Sequence, residues 1–173
     1  MANLAHHKPP SGKFPIVGLC ASAGGLEAYE AFFATMPSDS SMAFLVVQHL
    51  SPGTESILTE LIQRRTDMPV HSIVDNMVIQ PNNVYVLLPG EEVTFWDGQL
   101  QVNELSHSRG WPNIIDRFLQ SLARDQGERA AAVIFSGAGS DGMEGARTIK
   151  AEHGLVIAQE PDSASHSSMP QHV

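Results

Sequence analysis

Residues 14–50 read FPIVGLCASAGGLEAYEAFFATMPSDSSMAFLVVQHL, and their pattern decides the fold. Phe14 to Cys20 is a continuous apolar run, as expected of a strand buried on both faces. It runs into a turn of small residues, Ala21-Ser22-Ala23-Gly24-Gly25. Leu26, Tyr29, Phe33 and Met36 then recur at helical spacing, and the pattern stops before Pro37. Met42 to Val47 is a second buried run. Strand, helix, strand implies a right-handed crossover and parallel pairing.

The alternation continues outward from this unit. Gly53 to Arg65 places Ile57, Leu58, Leu61 and Ile62 on one helical face, and Asn83 to Leu88 reads as a strand. Glu92 to Trp96 and Gln99 to Asn103 flank Asp97-Gly98, a two-residue turn signal for an antiparallel hairpin. Pro112 to Arg124 returns to helix, with Ile114, Ile115, Phe118, Leu119 and Leu122 as its apolar stripe. Ala131 to Phe135 is another buried strand. A helix from Gly142 to Glu152 follows, with Gly154 placed to end it, and Leu155 to Ala158 reads as a last short strand. The closing SASHSSMPQHV is polar and reads as loop. The expected fold is α/β: a doubly wound three-layer sandwich with a mainly parallel sheet and an antiparallel hairpin insert. Residues 1–12 read as a flexible N-terminal tail and 13–173 as one domain.

Composition narrows the function. The 173 residues are 42% hydrophobic and 17% charged, a globular balance that can bury a core without disulfides or a metal. Cys20 is the single cysteine, so no disulfide framework exists and a reducing compartment is expected. The longest strictly apolar runs, Met42 to Val47 and Ala130 to Phe135, fall far short of the ~20 residues that cross a bilayer. A cytoplasmic protein without membrane insertion is expected. Ten Lys plus Arg stand against 19 Asp plus Glu, for a net charge of −9. Nucleic acid is not an expected partner, because phosphate binding needs clustered cations. His6-His7 lies in the polar tail with no ligand-type neighbour, and reads as solvated.

Ligands of open parallel sheets bind beyond the carboxyl ends of the strands. Three strand ends here run into small-residue turns: Cys20 to Gly25, Gln48 to Gly53 and Ser136 to Gly142. They carry Ser22, His49 and Asp141, the residue types of a nucleophile, a general base and an orienting carboxylate. Gly24 and Gly25 leave room around Ser22, and the N–H groups that open the next helix suit a developing oxyanion. Each residue also has a plainer reading. Ser22 can cap the helix after it, His49 can be a loop histidine, and Asp141 can cap the helix beginning near Gly142. Cys20 is an alternative nucleophile, although it lies within the apolar strand. The turn fits neither G-x-G-x-x-G nor G-K-[ST], so a nucleotide site is disfavoured.

GLCASAGGLEA, VVQHLSP and FSGAGSDGMEGARTIK resemble the catalytic domain of chemotaxis protein-glutamate methylesterases, the CheB family. NNVYVLLPG, DRFLQSLA and VIAQEPDSASHSSMP extend the match, which spans Phe14 to Pro170 in collinear order. The resemblance implies a doubly wound hydrolase with Ser22 as nucleophile, His49 as base and Asp141 as orienting carboxylate. It implies hydrolysis of glutamate methyl esters on the cytoplasmic helices of a methylated chemoreceptor, with glutamine deamidation in some members. No metal or organic cofactor is implied. Ala23 and Gly24 are the candidate oxyanion donors, and Ala138 and Gly139 candidates for positioning substrate. QHLSPGTES is similar to methylesterase domains fused to a methyltransferase, which makes a fused or associated methyltransferase domain an expected partner.

Two positions depart from the family pattern. Ala23 stands where many relatives have threonine, and Ala138 where methionine is common. Relatives also continue past the equivalent of Met169-Pro170, so the domain is expected to be truncated at its C-terminus, with part of a sheet face exposed. A catalytically impaired domain of the same fold, acting as a signalling or scaffold module, is the competing expectation. Arg109 and Arg147 are candidates for a small basic patch facing an acidic receptor.

Overall fold

The computed structural model describes residues 14–50, 57–105 and 113–173. The tail expected at 1–12 lies outside the described residues, as do His6-His7, Gly53, His107, Arg109 and Pro112. The chain lays down β1 (Ile16–Ala21), α1 (Gly25–Thr35), β2 (Ala43–Gln48), α2 (Leu58–Gln63), β3 (Val70–Ser72), β4 (Met77–Val78) and β5 (Asn83–Val86). The hairpin β6 (Glu91–Trp96) and β7 (Gln99–Glu104) follows, then α3 (Ile114–Gln126), β8 (Ala130–Ile134), α4 (Met143–Ala151), β9 (Leu155–Ala158) and α5 (Ser168–Gln171).

Six strands form one parallel sheet in the order β3-β5-β2-β1-β8-β9. Every residue of β1 is buried because the strand is central and covered on both faces. Its side chains alternate accordingly. Val17, Leu19 and Ala21 face Tyr29 and Phe33 of α1, while Ile16 and Cys20 face Phe118 and Leu119 of α3. On the α1 side, Phe32, Phe33, Phe44, Tyr29 and Phe135 meet edge to face. Helices α3 and α4 cover the other face, where the antiparallel sheet β4-β7-β6 also packs on α3. Ser121 Oγ accepts the Phe95 N–H at 2.9 Å and stitches β6 to that helix.

The doubly wound architecture matches the expectation, and three details differ. Asp97 and Gly98 both have positive φ, which completes the tight turn read from the sequence, but β4 adds a third strand beside the hairpin. Strands β3 and β4, of three and two residues, are too short to give a periodic signal. The segment expected to be loop at the end is ordered: residues 161–163 form a 3-10 turn and α5 follows. Met169 is fully buried in the α3-side core. On β9, Leu155 and Ile157 stand exposed, so this edge of the sheet has an uncovered apolar face.

Helix α4 approaches α3 closely at Gly145. A Cβ placed on Gly145 would lie 2.6 Å from Leu119 Cβ. In an open helix, Gly→Ala would stabilise by about 1 kcal/mol. Here Gly145→Ala should destabilise by about 1–3 kcal/mol, because the helices must separate. Urea denaturation checks the sign.

Candidate active site

Ser22 follows the last residue of β1, and its backbone is fixed from three sides. Its N–H donates to Ser136 O at 3.0 Å. Its carbonyl accepts the Gly25 N–H and the Gln48 side-chain amide, each at 3.2 Å. Its hydroxyl makes no hydrogen bond among the described residues. The capping alternative fails, because the N-cap of α1 is Gly24 and no side chain caps that end. Gly24 takes φ +73°, a conformation that favours glycine, and a Cβ there would also strike Ser165 and Ser136. The N–H groups of Ala23 and Gly24 donate to no acceptor among the described residues. Ser22 N–H is already committed to Ser136, so these two are the open donors beside the hydroxyl.

His49 follows β2, where the register pairs Ala21 with Gln48 and so sets the histidine beside the end of β1. Its Nε2 lies 2.7 Å from Asp141 Oδ2, with the two side chains 11% and 8% exposed. At this distance Asp141 is placed to accept a proton carried on Nε2. An imidazole that keeps its proton on Nε2 for Asp141 has Nδ1 as its basic nitrogen.

Asp141 does not cap α4, whose N-cap is Gly142. Its carboxylate crosses to α3 instead, where Oδ2 accepts the Ile115 N–H at 3.0 Å and Oδ1 the Asp116 N–H at 2.8 Å. Asp116 answers in the other direction. Its Oδ1 accepts the N–H groups of Gly142 at 3.0 Å and Gly145 at 2.7 Å, at the start of α4. The first turn of α3 is thus capped by the acid that precedes α4, and the start of α4 by an acid in the first turn of α3. Burial pushes the Asp116 carboxyl up and the neighbouring Asp141 adds to this, while the two N–H bonds from α4 pull it down.

Ser22, His49, Asp141, Ala138 and Gly139 line one cleft of about 500 Å³, together with Asn113 and Ser140. Ala23 and Gly24 adjoin it in sequence at the start of α1. The turn after β8 is shaped from behind by the C-terminal segment. Gly137 N–H donates to His166 O, Met169 N–H to Gly137 O, and Ser168 Oγ to Gly139 O. Buried Ser136 links both halves, donating its hydroxyl proton to Ala23 O and accepting the His166 N–H. Arg147 pairs with Glu144 on the α4 surface and does not line the cleft. Cys20 is fully buried, and desolvation, then Asp141 and Asp116, hold its thiol well above the usual range. A thiol so placed is not an available nucleophile. Among the described residues no three His, Cys, Asp or Glu side chains gather as metal ligands, and no helix is long and apolar enough to cross a membrane.

Sequence reasoning missed Asp116, Asn113, Ser136 and Ser140. Asp116 had a signal, an acidic residue in a helix's first turn, but its partners lie 26 and 29 positions away. Ser136 had none that separates it from any serine after a strand.

Comparison with known proteins agrees with this architecture. A family model described as CheB methylesterase matches residues 17–173. A protein-glutamate methylesterase/protein-glutamine glutaminase of Myxococcus xanthus is 28% identical over 90% of this chain and 44% of its own length. One from Anaeromyxobacter dehalogenans is 30% identical over 87% of this chain and 45% of its own length. The chain therefore spans less than half the length of these relatives. An uncharacterised 104.1 kDa protein of Rhodobacter capsulatus is 34% identical over 66% of this chain, a match that occupies 12% of that protein. The crystal structure of the Thermotoga maritima CheB methylesterase catalytic domain superposes with a TM-score of 0.80 at 26% identity, covering 92% of this chain and 87% of that one. The chain belongs to the CheB methylesterase family.

Proposed function

We propose that this domain hydrolyses glutamate methyl esters on the cytoplasmic helices of a methylated chemoreceptor, with Ser22 as nucleophile, His49 as general base and Asp141 as orienting carboxylate. The observation that carries this reading is the convergence of three strand ends on one cleft. Ser22 there has a fixed backbone and an uncommitted hydroxyl, and Asp141 stands 2.7 Å from His49. The names of the curated relatives point to the same chemistry.

In this reading His49 Nδ1 takes the Ser22 proton as Oγ attacks the ester carbonyl. Asp141 holds the Nε2 proton and stabilises the imidazolium. The N–H groups of Ala23 and Gly24, at the positive end of α1, receive the negative oxygen of the tetrahedral intermediate. His49 returns its proton to the leaving methanol. Water, deprotonated by His49, then cleaves the acyl-enzyme to give the glutamate carboxylate and regenerate Ser22. The same steps with ammonia leaving would deamidate glutamine, the second activity named for the relatives.

The electrostatics suit a neutral acyl group. Asp141 lines the cleft, Asp116 is buried behind it, and the chain carries −9. An ester or carboxamide enters without charge repulsion, whereas the carboxylate product is repelled. A cleft of about 500 Å³ holds one extended side chain between the Ser22 turn and the Ala138–Gly139 turn. With alanine at position 138 the wall is low, and Asn113 and Ser140 supply its polar groups. The match within the far longer Rhodobacter capsulatus protein supports the view that such a domain works joined to others. A fused or associated methyltransferase domain remains the partner we propose.

Two outcomes are expected. Methanol release from a methylated chemoreceptor cytoplasmic fragment should fall by about 10³-fold or more in Ser22→Ala, with binding retained. Binding without methanol release by the unsubstituted domain would favour the scaffold reading. In the native state Cys20 should not react with a water-soluble disulfide reagent until urea unfolds the domain, and Cys20→Ala should retain activity within a few fold.

A further inference from the structure

The crossed carboxylates at the heads of α3 and α4 leave one acid without a role in the proposed chemistry. Asp116 is 7% exposed, lines no part of the cleft, and ends in a buried carboxyl group. Its Oδ1 is taken by Gly142 and Gly145 N–H, and its own backbone N–H donates to Asp141 Oδ1 at 2.8 Å, which sets the two acids side by side. The same Asp141 carboxylate touches His49. His49, Asp141 and Asp116 therefore form a line running from the cleft floor into the interface between the two helices. Among the described residues the other ionisable group facing this line is Cys20 on β1, which feels both acids. Among the described residues no cation pairs with Asp116: Arg117, next along α3, turns outward to Glu92.

We propose that Asp116 is a positioning residue for this site: a second buried carboxylate that acts through Asp141 to strengthen its hold on the His49 proton. The proposal rests on the serine-hydrolase reading above. A negative charge behind Asp141 makes Asp141 a better acceptor, and the imidazolium correspondingly easier to form when Ser22 gives up its proton. The α4 N-terminus makes the arrangement tolerable, because its N–H groups and dipole bind the ionised form of Asp116. A purely structural cap would need only an oxygen at Oδ1. Charge on Asp116 matters only if the acid also acts electrostatically.

Asp116→Asn separates these two roles. Asn keeps an acceptor for Gly142 and Gly145, removes the charge, and turns an N–H₂ toward Asp141. The reaction of Ser22 with a fluorophosphonate, followed by intact mass across pH 5 to 9, reads the activation of the serine without needing the receptor. Asp116→Asn should move the acid limb of this rate profile down by about half to one pH unit, with the alkaline plateau kept within about threefold. The proton-uptake midpoint of the His49 ring, followed by NMR on histidine-labelled protein, should fall by the same amount. An unmoved limb and an unmoved ring midpoint in a folded Asp116→Asn protein would overturn the proposal, and leave Asp116 a structural cap. Equal labelling of the unsubstituted protein and Ser22→Ala would instead overturn the serine reading. The NMR titration, which does not involve Ser22, tells the two failures apart.

Discussion

Two acids at the heads of α3 and α4, Asp116 buried and Asp141 at the cleft wall, each bonded to the other helix's first turn, hold this end of the fold together. Taking a carboxylate out of water costs several kcal/mol, and among the described residues no Lys or Arg pairs with either acid to offset it. The compensation comes from backbone. Four N–H groups that would be orphans at two helix starts, those of Ile115, Asp116, Gly142 and Gly145, point at the two acids. Bonds of this charge-assisted kind contribute about 1.5–3 kcal/mol each. The exchange works only because the helices run close together, and they run close because Gly145 gives Leu119 no side chain to meet. A packing requirement at one glycine is thus a condition for placing a carboxylate beside His49.

The sheet supplies the other half of the site. Because β1 lies between β2 and β8, and all three are parallel, their carboxyl ends share one edge. The chain goes from β1 to β2 on one side of the sheet's centre and returns to β8 on the other. A crevice at such a reversal is where doubly wound folds bind ligands. The backbone at Ser22 is held by bonds to Ser136, Gly25 and Gln48, so the serine sits on a rigid support and not on a mobile loop.

The sequence was legible wherever structure follows a local period. The long buried strands, α1, α3 and the Asp97-Gly98 turn are all set by residues within a dozen positions of one another, and each was read with its boundaries nearly right. The site residues were legible for a topological reason: parallel strands fix which ends come together, so Ser22, His49 and Asp141 could be grouped without knowing a contact. What escaped was long-range. For Asp141 the plainer alternative to an orienting carboxylate is a cap for the helix that follows it, because N-capping is the commonest local use of an aspartate there. Its actual partners on α3 are 25 and 26 positions earlier. Asp116 was hidden by the same distance. The closing segment was read as loop because its composition is polar, yet one buried methionine and three backbone bonds dock it against the β8 turn.

That docking has a consequence for synthesis. The serine turn comes from the first part of the chain, but the wall facing it is shaped by residues 165–169, and Ser136 bonds to Ala23 across 113 positions. A ribosome adding roughly 5–20 residues per second therefore makes the Ser22 hydroxyl seconds before the turn opposite it can settle. Until Met169 clears the exit tunnel and seats under Gly137, the nascent chain carries a serine with no finished pocket around it. Assembly of the cleft is thereby deferred by connectivity alone until both of its walls have been made.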